Sequence, residues 1–167
     1  MKTIGIISDT HRYMHPNIPD FFEGVDEIWH AGDIGSLEVL EWLKKTAPVR
    51  LVYGNIDDQS IRQEHPEIHY FSIEGINIFM IHIGGYPGKY EPKVFKFIQQ
   101  NPVELFISGH SHILKVMPDK KHNLLHINPG AAGLSGFHKV ITAIRITLNQ
   151  GNFENLKVFE APRKGVY

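Results

Sequence analysis

Residues 4–11 read Ile4-Gly5-Ile6-Ile7-Ser8-Asp9-Thr10-His11, an apolar run that stops abruptly on a carboxylate and an imidazole one residue apart. In extended chain, residues two apart project to one side, so Asp9 and His11 are predicted to reach a common centre. Alone, the pair is a weak signal for a metal-ligand spacing and reads more readily as an Asp capping the next turn beside a solvated His. The same construction recurs at Ala31-Gly32-Asp33, at Gly54-Asn55-Ile56-Asp57, at His82 and at Gly109-His110-Ser111-His112. Short apolar runs closed by polar residues and alternating with helical patterns describe an α/β sheet, whose sites lie outside its strand ends.

Working outward, the chain predicts strands at 2–8, 27–30 and 49–53. Between the first two, Pro16 and Pro19 make 12–22 a loop leading into a short helical turn. Between the next two, Ser36 can cap a helix with Leu37, Leu40 and Leu43 on one face, Lys44 and Lys45 at its negative end and Pro48 beyond it. Strands at 69–73 and 76–81 form a hairpin around Glu74-Gly75, and a Gly/Pro-rich loop, 84–90, follows His82; its Tyr86 and Lys89 are candidates for a substrate mouth. Glu91-Pro92 opens a helix striped by Val94, Phe97 and Ile98, and another strand covers 104–108. From residue 113 the pattern is hairpin-rich: 113–117, a turn at Pro118-Asp119, 124–127, a turn at Asn128-Pro129-Gly130, then 139–148 and 153–160 around Gln150-Gly151-Asn152. These segments predict a second, largely antiparallel sheet. No linker or repeat interrupts the chain, so residues 1–167 are expected to form a single domain.

Composition narrows the chemistry. The chain has no cysteine, so a metal must be held by nitrogen and oxygen. Seventeen Lys+Arg against 18 Asp+Glu leave a net charge of -1, which argues against nucleic-acid or anionic-membrane partners. No apolar run approaches spanning length and the first residues lack a signal-peptide layout, so a soluble, cytoplasmic chain is expected. Eleven histidines require an explanation.

Collected, the strand-end set is Asp9, His11, Asp33, Asn55, His82, His110 and His112. Singly, Asp33 can be a helix cap, Asn55 a turn residue, and His110 and His112 exposed loop residues. Jointly, two carboxylates, an amide and four imidazoles are the donor mix for borderline divalent ions, too nitrogen-rich for calcium or magnesium.

The ordered blocks Asp9-x-His11, Gly32-Asp33, Gly54-Asn55-x-Asp57, His82 and Gly109-His110-x-His112, with the Asn128-Pro129-Gly130 turn, resemble the signature of the calcineurin-like metallophosphoesterases. The length resembles their small single-domain bacterial and archaeal phosphodiesterases. The resemblance implies two mixed β-sheets packed face to face and flanked by helices, a four-layer αββα sandwich. It implies two divalent transition-metal ions, manganese foremost, with iron, nickel or zinc as alternatives. Asp9, His11, Asp33 and His112 would hold one; Asp33, Asn55, His82 and His110 would hold the other, with Asp33 as the bridge. The implied activity is hydrolysis of a small-molecule phosphate diester by a metal-bridging hydroxide, with homo-oligomerisation left open. The alternative is a catalytically weak protein-binding scaffold, by analogy with the retromer subunit that keeps this fold.

Two positions depart from that pattern. Ile56 stands where many members carry a histidine assigned to the leaving group, and Ile83 replaces a glycine. Asp57 is expected to orient a ligand histidine rather than bind metal. His30 is expected to be a packed strand-end residue and His126 a core or supporting one; His15, His65, His69, His122 and His138 are expected on the surface.

Overall fold

The computed structural model describes residues 1–163; the C-terminal limit of the expected domain, residue 167, lies outside the described residues. The chain runs β1 (Lys2–Ile7), α1 (Ile18–Phe21), β2 (Glu27–His30), α2 (Leu37–Lys44), β3 (Val49–Leu51), α3 (Gln59–Arg62), β4 (Ile68–Ile73) and β5 (Ile76–Ile81). It continues through β6 (Gly85–Tyr86), β7 (Lys89–Tyr90), α4 (Pro92–Gln100), β8 (Leu105–Ile107), β9 (Leu114–Asp119), β10 (Leu124–Pro129), β11 (Val140–Asn149) and β12 (Asn152–Pro162). Two five-stranded sheets result, ordered β12-β11-β1-β2-β3 and β4-β5-β8-β10-β9.

Period-two alternation builds the layers. Ile4, Ile6 and Trp29 face Ile78, Met80, Leu105, Ile107 and Ile127 of the second sheet and close the core between the sheets. The other face of the first sheet, through Ile7, Ile28 and Leu51, meets Ile18 of α1 and Val39, Leu40 and Leu43 of α2. On the far side, Phe79, Ile81 and Phe106 pack against Val94 of α4. Each such side chain removed from water contributes roughly 1.5–3 kcal/mol, so neither sheet is stable with a bare face. The expected four-layer αββα order is present.

Strand direction decides where polar ends gather. β1, β2 and β3 are mutually parallel, as are β5, β8 and β10, so their carboxyl ends share one edge in each sheet.

Several local expectations are corrected. The β11–β12 hairpin does not join a second antiparallel sheet. β11 pairs antiparallel with β1, Ile6 opposite Ile144, because Ile144, Ile146 and Leu148 complete the core between the sheets. Both sheets are therefore mixed. Leu37 is exposed and Val39 takes its place on the buried face of α2, while the Ser36 side chain makes no capping hydrogen bond. β1 and β3 stop at Ile7 and Leu51, short of the predicted ends, because the chain then turns into the site. Pro118 and Asp119 stay within β9; the turn lies at residues 120–123, where Asp119 Oδ1 accepts the N–H groups of Lys121 and His122. Asn128 and Pro129 end β10, and the chain bends only at Gly130, with φ +73°. The Gly/Pro-rich loop folds into the short β6–β7 hairpin.

Candidate metal centre

Beyond Ile7 the backbone leaves the extended region. Asp9 (φ 53°), His11 (46°), Asp33 (57°), His110 (70°) and His112 (60°) all lie in left-handed conformation. Asp9 and His11 therefore do not converge through the pleat of a strand, as the sequence suggested. Residues 9–12 instead lie along the loop after β2: Asp9 N–H donates to Gly32 O, His11 N–H to Asp33 O and Arg12 N–H to Ile34 O, at 2.9–3.0 Å. Strain of about 1–3 kcal/mol per residue persists only where surroundings over-determine it, and such residues cluster at functional sites.

All seven predicted residues come together. Asp9 Oδ1 lies 3.1 Å from His112 Nε2, 3.7 Å from His11 Nε2 and 3.9 Å from His82 Nε2. Asp33 Oδ2 lies 3.4 Å from His11 Nε2 and 3.2 Å from His82 Nε2, between the two sets. Asn55 Oδ1 lies 3.1 Å from both His82 Nε2 and His110 Nδ1. Two groups, Asp9/His11/His112 and Asp33/His82/His110, each offer ligand atoms within 4.8 Å of one another.

The donor atoms fit a metal. Asp9 is fully buried, and its Oδ1 faces three imidazoles yet accepts a well-directed hydrogen bond from none; His11 Nε2 is likewise buried without a partner. A buried polar atom left unpaired costs about 1–3 kcal/mol, which a cation between these atoms would relieve. His82 Nδ1–H donates to Ala31 O at 2.7 Å, which leaves the Nε2 lone pair free.

The electrostatics point the same way. Burial alone would raise the Asp9 and Asp33 carboxyls, but the surrounding imidazoles hold both well below the usual carboxylate range. In turn Asp33 and Asp9 push His11 up to about 9, and at His82 they outweigh the burial that would lower it. The pocket concentrates negative charge and holds protons where no stronger cation competes.

Asp57 does not orient a histidine. Its Oδ2 accepts the backbone N–H groups of Asp33 (3.0 Å), Ile34 (3.3 Å) and Gly54 (2.8 Å), and its Oδ1 that of Gly35 (2.9 Å). It thereby joins the loops that carry Asp33 and Asn55. Gly54 must approach closely: a Cβ there would fall 2.0 Å from Asp33 Oδ1. Arg62, which no sequence signal marked, donates to the carbonyls of Asp57, Gly54 and Asn55. Asn128 supports the other loop, its amide donating to Gly109 O and Ser111 Oγ.

The remaining histidines sort by contact. His30 is buried as expected: its Nδ1 accepts Gly32 N–H, so its Nε2–H donates to the Thr10 hydroxyl. His126 is core, bonded to Phe106 O and stacked on Phe106. His15, His65, His69, His122 and His138, expected on the surface, are half-buried; His122 pairs with Asp119 at 2.7 Å, and His138 Nδ1 lies 3.2 Å from His112 Nδ1. Beside His110, Tyr86 lines a pocket of about 140 Å3, with Lys115 Nζ 3.8 Å from the Tyr86 ring centre; Lys89 instead lines a separate depression with Tyr90 and Asp119. Ile56 is partly exposed at the rim, its N–H donating to Asp33 Oδ1 at 3.0 Å.

No helix among the described residues is long and apolar enough to cross a membrane. The chain is 34% identical over 134 residues to a protein named a probable metallophosphoesterase in Methanocaldococcus jannaschii, covering 77% of this chain and 67% of that one. Its fold is similar to Vps29 of Chaetomium thermophilum, with a TM-score of 0.76 at 14% identity over 96% of this chain and 97% of that one. It is also similar to a novel archaeal phosphodiesterase, with a TM-score of 0.70 at 22% identity over 94% and 99% of the two chains. Residues 1–151 match the calcineurin-like phosphoesterase superfamily domain, and the chain belongs to that superfamily.

Proposed function

We propose that the protein is a dinuclear-metal-dependent phosphodiesterase acting on a small-molecule phosphate diester. The observation that carries this is the unpaired, buried Asp9 Oδ1 and His11 Nε2 at the meeting point of the seven donors. Asp9, His11, Asp33 and His112 would hold one ion and Asp33, Asn55, His82 and His110 the other. Nitrogen and oxygen donors without thiolate suit a borderline divalent ion; the family resemblance puts manganese first, with iron, nickel or zinc as alternatives. When bound, two divalent ions supply Lewis acidity toward a phosphoryl oxygen and an activated water.

The chain's own residues do the rest. Asp33 stands between the two donor sets, and Ala31 and Asp57 keep His82 and the Asp33 loop in place. Space for both substituents of a diester flanks the site. Beside His110 lies the Tyr86–Lys115 pocket, and beside Asn55 and His82 lies a cleft of about 580 Å3 that reaches Tyr53 and Arg62; Ile83 borders both. A cytoplasmic setting and one domain over residues 1–167 belong to the same proposal. A protein-binding scaffold is the second reading, favoured by Phe137, fully exposed, and Ile113, 61% exposed.

The test is reconstitution with manganese, followed by a screen of diesters and monoesters with metal content measured on the same sample. Two ions with diester turnover are expected. Two ions without turnover on any ester would favour the scaffold, and no bound metal would reject the centre itself.

A further inference from the structure

We infer that His138 is a positioning residue for His112: it accepts the His112 Nδ1–H and so aims the His112 Nε2 lone pair at the centre beside Asp9. The inference rests on the metal-centre reading above.

The argument follows the protons. His138 Nε2 lies 2.7 Å from Gly133 O, and a carbonyl can only accept, so Nε2 carries the hydrogen. A neutral imidazole has one N–H, which leaves His138 Nδ1 as an acceptor. Facing it at 3.2 Å is His112 Nδ1, which must then be the donor. The His112 lone pair is thereby assigned to Nε2, the atom 3.1 Å from Asp9 Oδ1. The opposite assignment, with His138 doubly protonated, would put a hydrogen on His112 Nε2 and close that nitrogen to a metal.

The segment that carries His138 is tied to the same donor set. Ala132 and Gly133 N–H groups donate to the carbonyls of Ser8 and Asp9, each at 2.9 Å. Arg163 holds the carbonyls of Leu134 and Gly136. Gly136 has φ +125°, and a Cβ there would fall 2.2 Å from His112 Nδ1 and 3.1 Å from His138 Nδ1, so the two rings meet only because position 136 has no side chain. One loop thus grips the Asp9 backbone and orients His112. The ligand spacing in the sequence carried no trace of this, since His138 lies 26 residues after His112.

The two ring nitrogens of His138 can be tested separately in the full chain. His138→Asn places an amide oxygen near the Nδ1 position and loses the bond to Gly133; His138→Gln keeps a donor for Gly133 and presents nothing to His112. Competition titration with zinc should show one site weakened about 10–100-fold in His138→Gln, with affinity largely kept in His138→Asn. A purely structural role predicts the reverse order, and that order would overturn the inference. Independently of either variant, 15N shifts of the zinc-loaded unaltered protein should show His112 protonated at Nδ1 and metal-bound through Nε2. A protonated Nε2 would overturn the inference; failure of the unaltered protein to bind zinc would instead reject the metal centre.

Discussion

His82 Nδ1 and the Ala31 carbonyl meet at 2.7 Å across the junction of the two sheets: His82 follows β5 of the second sheet, and Ala31 follows β2 of the first. The bond ties the sheets at their shared edge and sets the tautomer that leaves Nε2 beside Asp33.

The donor sets predict how substitutions divide. Asp33→Ala should impair both ions because Asp33 Oδ2 stands between the sets, whereas Asn55→Ala or His110→Ala should impair one. Elemental analysis after equilibrium dialysis measures this; equal loss from all three variants would contradict the bridge.

Metal binding should depend on pH above neutrality as well as below it. The carboxylates of Asp33 and Asp9 hold the His11 proton to about 9, and a ligand imidazole must be neutral. Apparent affinity should therefore rise with pH through neutrality and level off near that value, with proton release on binding. Calorimetry in buffers of different ionisation enthalpy reads the release, and zero release at pH 7 would contradict the expectation. In the metal-free protein the same raised pKa stabilises the fold below about 6.5, and that contribution is lost as pH rises through about 9.

His126 sets an acid limit on stability. Burial pushes it from 6.5 down to about 4, so between those values the unfolded chain takes up a proton that the folded one refuses. Stability is whole above 6.5 and falls as pH drops toward 4, by roughly 3 kcal/mol from this residue. His30, also pushed to about 4 by burial, acts in the same direction. Urea unfolding from pH 7.5 to 4.5 should show a shallower decline in His126→Gln; an unchanged slope would assign the acid sensitivity elsewhere.

Asp57→Ala strands four backbone N–H groups at about 1–3 kcal/mol each, so a loss of several kcal/mol is expected, with metal content falling in parallel. Asp57→Asn should be milder because one amide oxygen remains. Chemical denaturation measures both, and a loss below about 1 kcal/mol in the alanine variant would show that water replaces the carboxylate.

With Ile56 at the rim, general-acid help of about 10²–10⁴-fold from a side chain at this position is absent. Rates should fall steeply as leaving-group pKa rises, and Ile56→His should lift poor substrates more than activated ones. A leaving-group series at equal metal content decides this; parallel shallow slopes would place the proton donor on another residue.

Most strands, the hairpins at Glu74-Gly75 and Gln150-Gly151, and the seven polar residues that gather beyond the strands were legible in the sequence, because each depends on local alternation or on residue type at a turn. Both turns carry the positive φ that their residues suit. Local pattern could not decide which sheet received β11, since its alternation fits either; the open edge of β1 decided that. Nor could it show that Asp9 and His11 converge through left-handed backbone laid along the Gly32–Ile34 loop, or that Asp57 serves backbone amides and His138 serves His112. The sequence by itself determined which chemical groups stand at the strand ends. Only the tertiary structure decided which atom of each group faces the centre, because an imidazole's free nitrogen is set by hydrogen-bond partners 26 to 51 residues away.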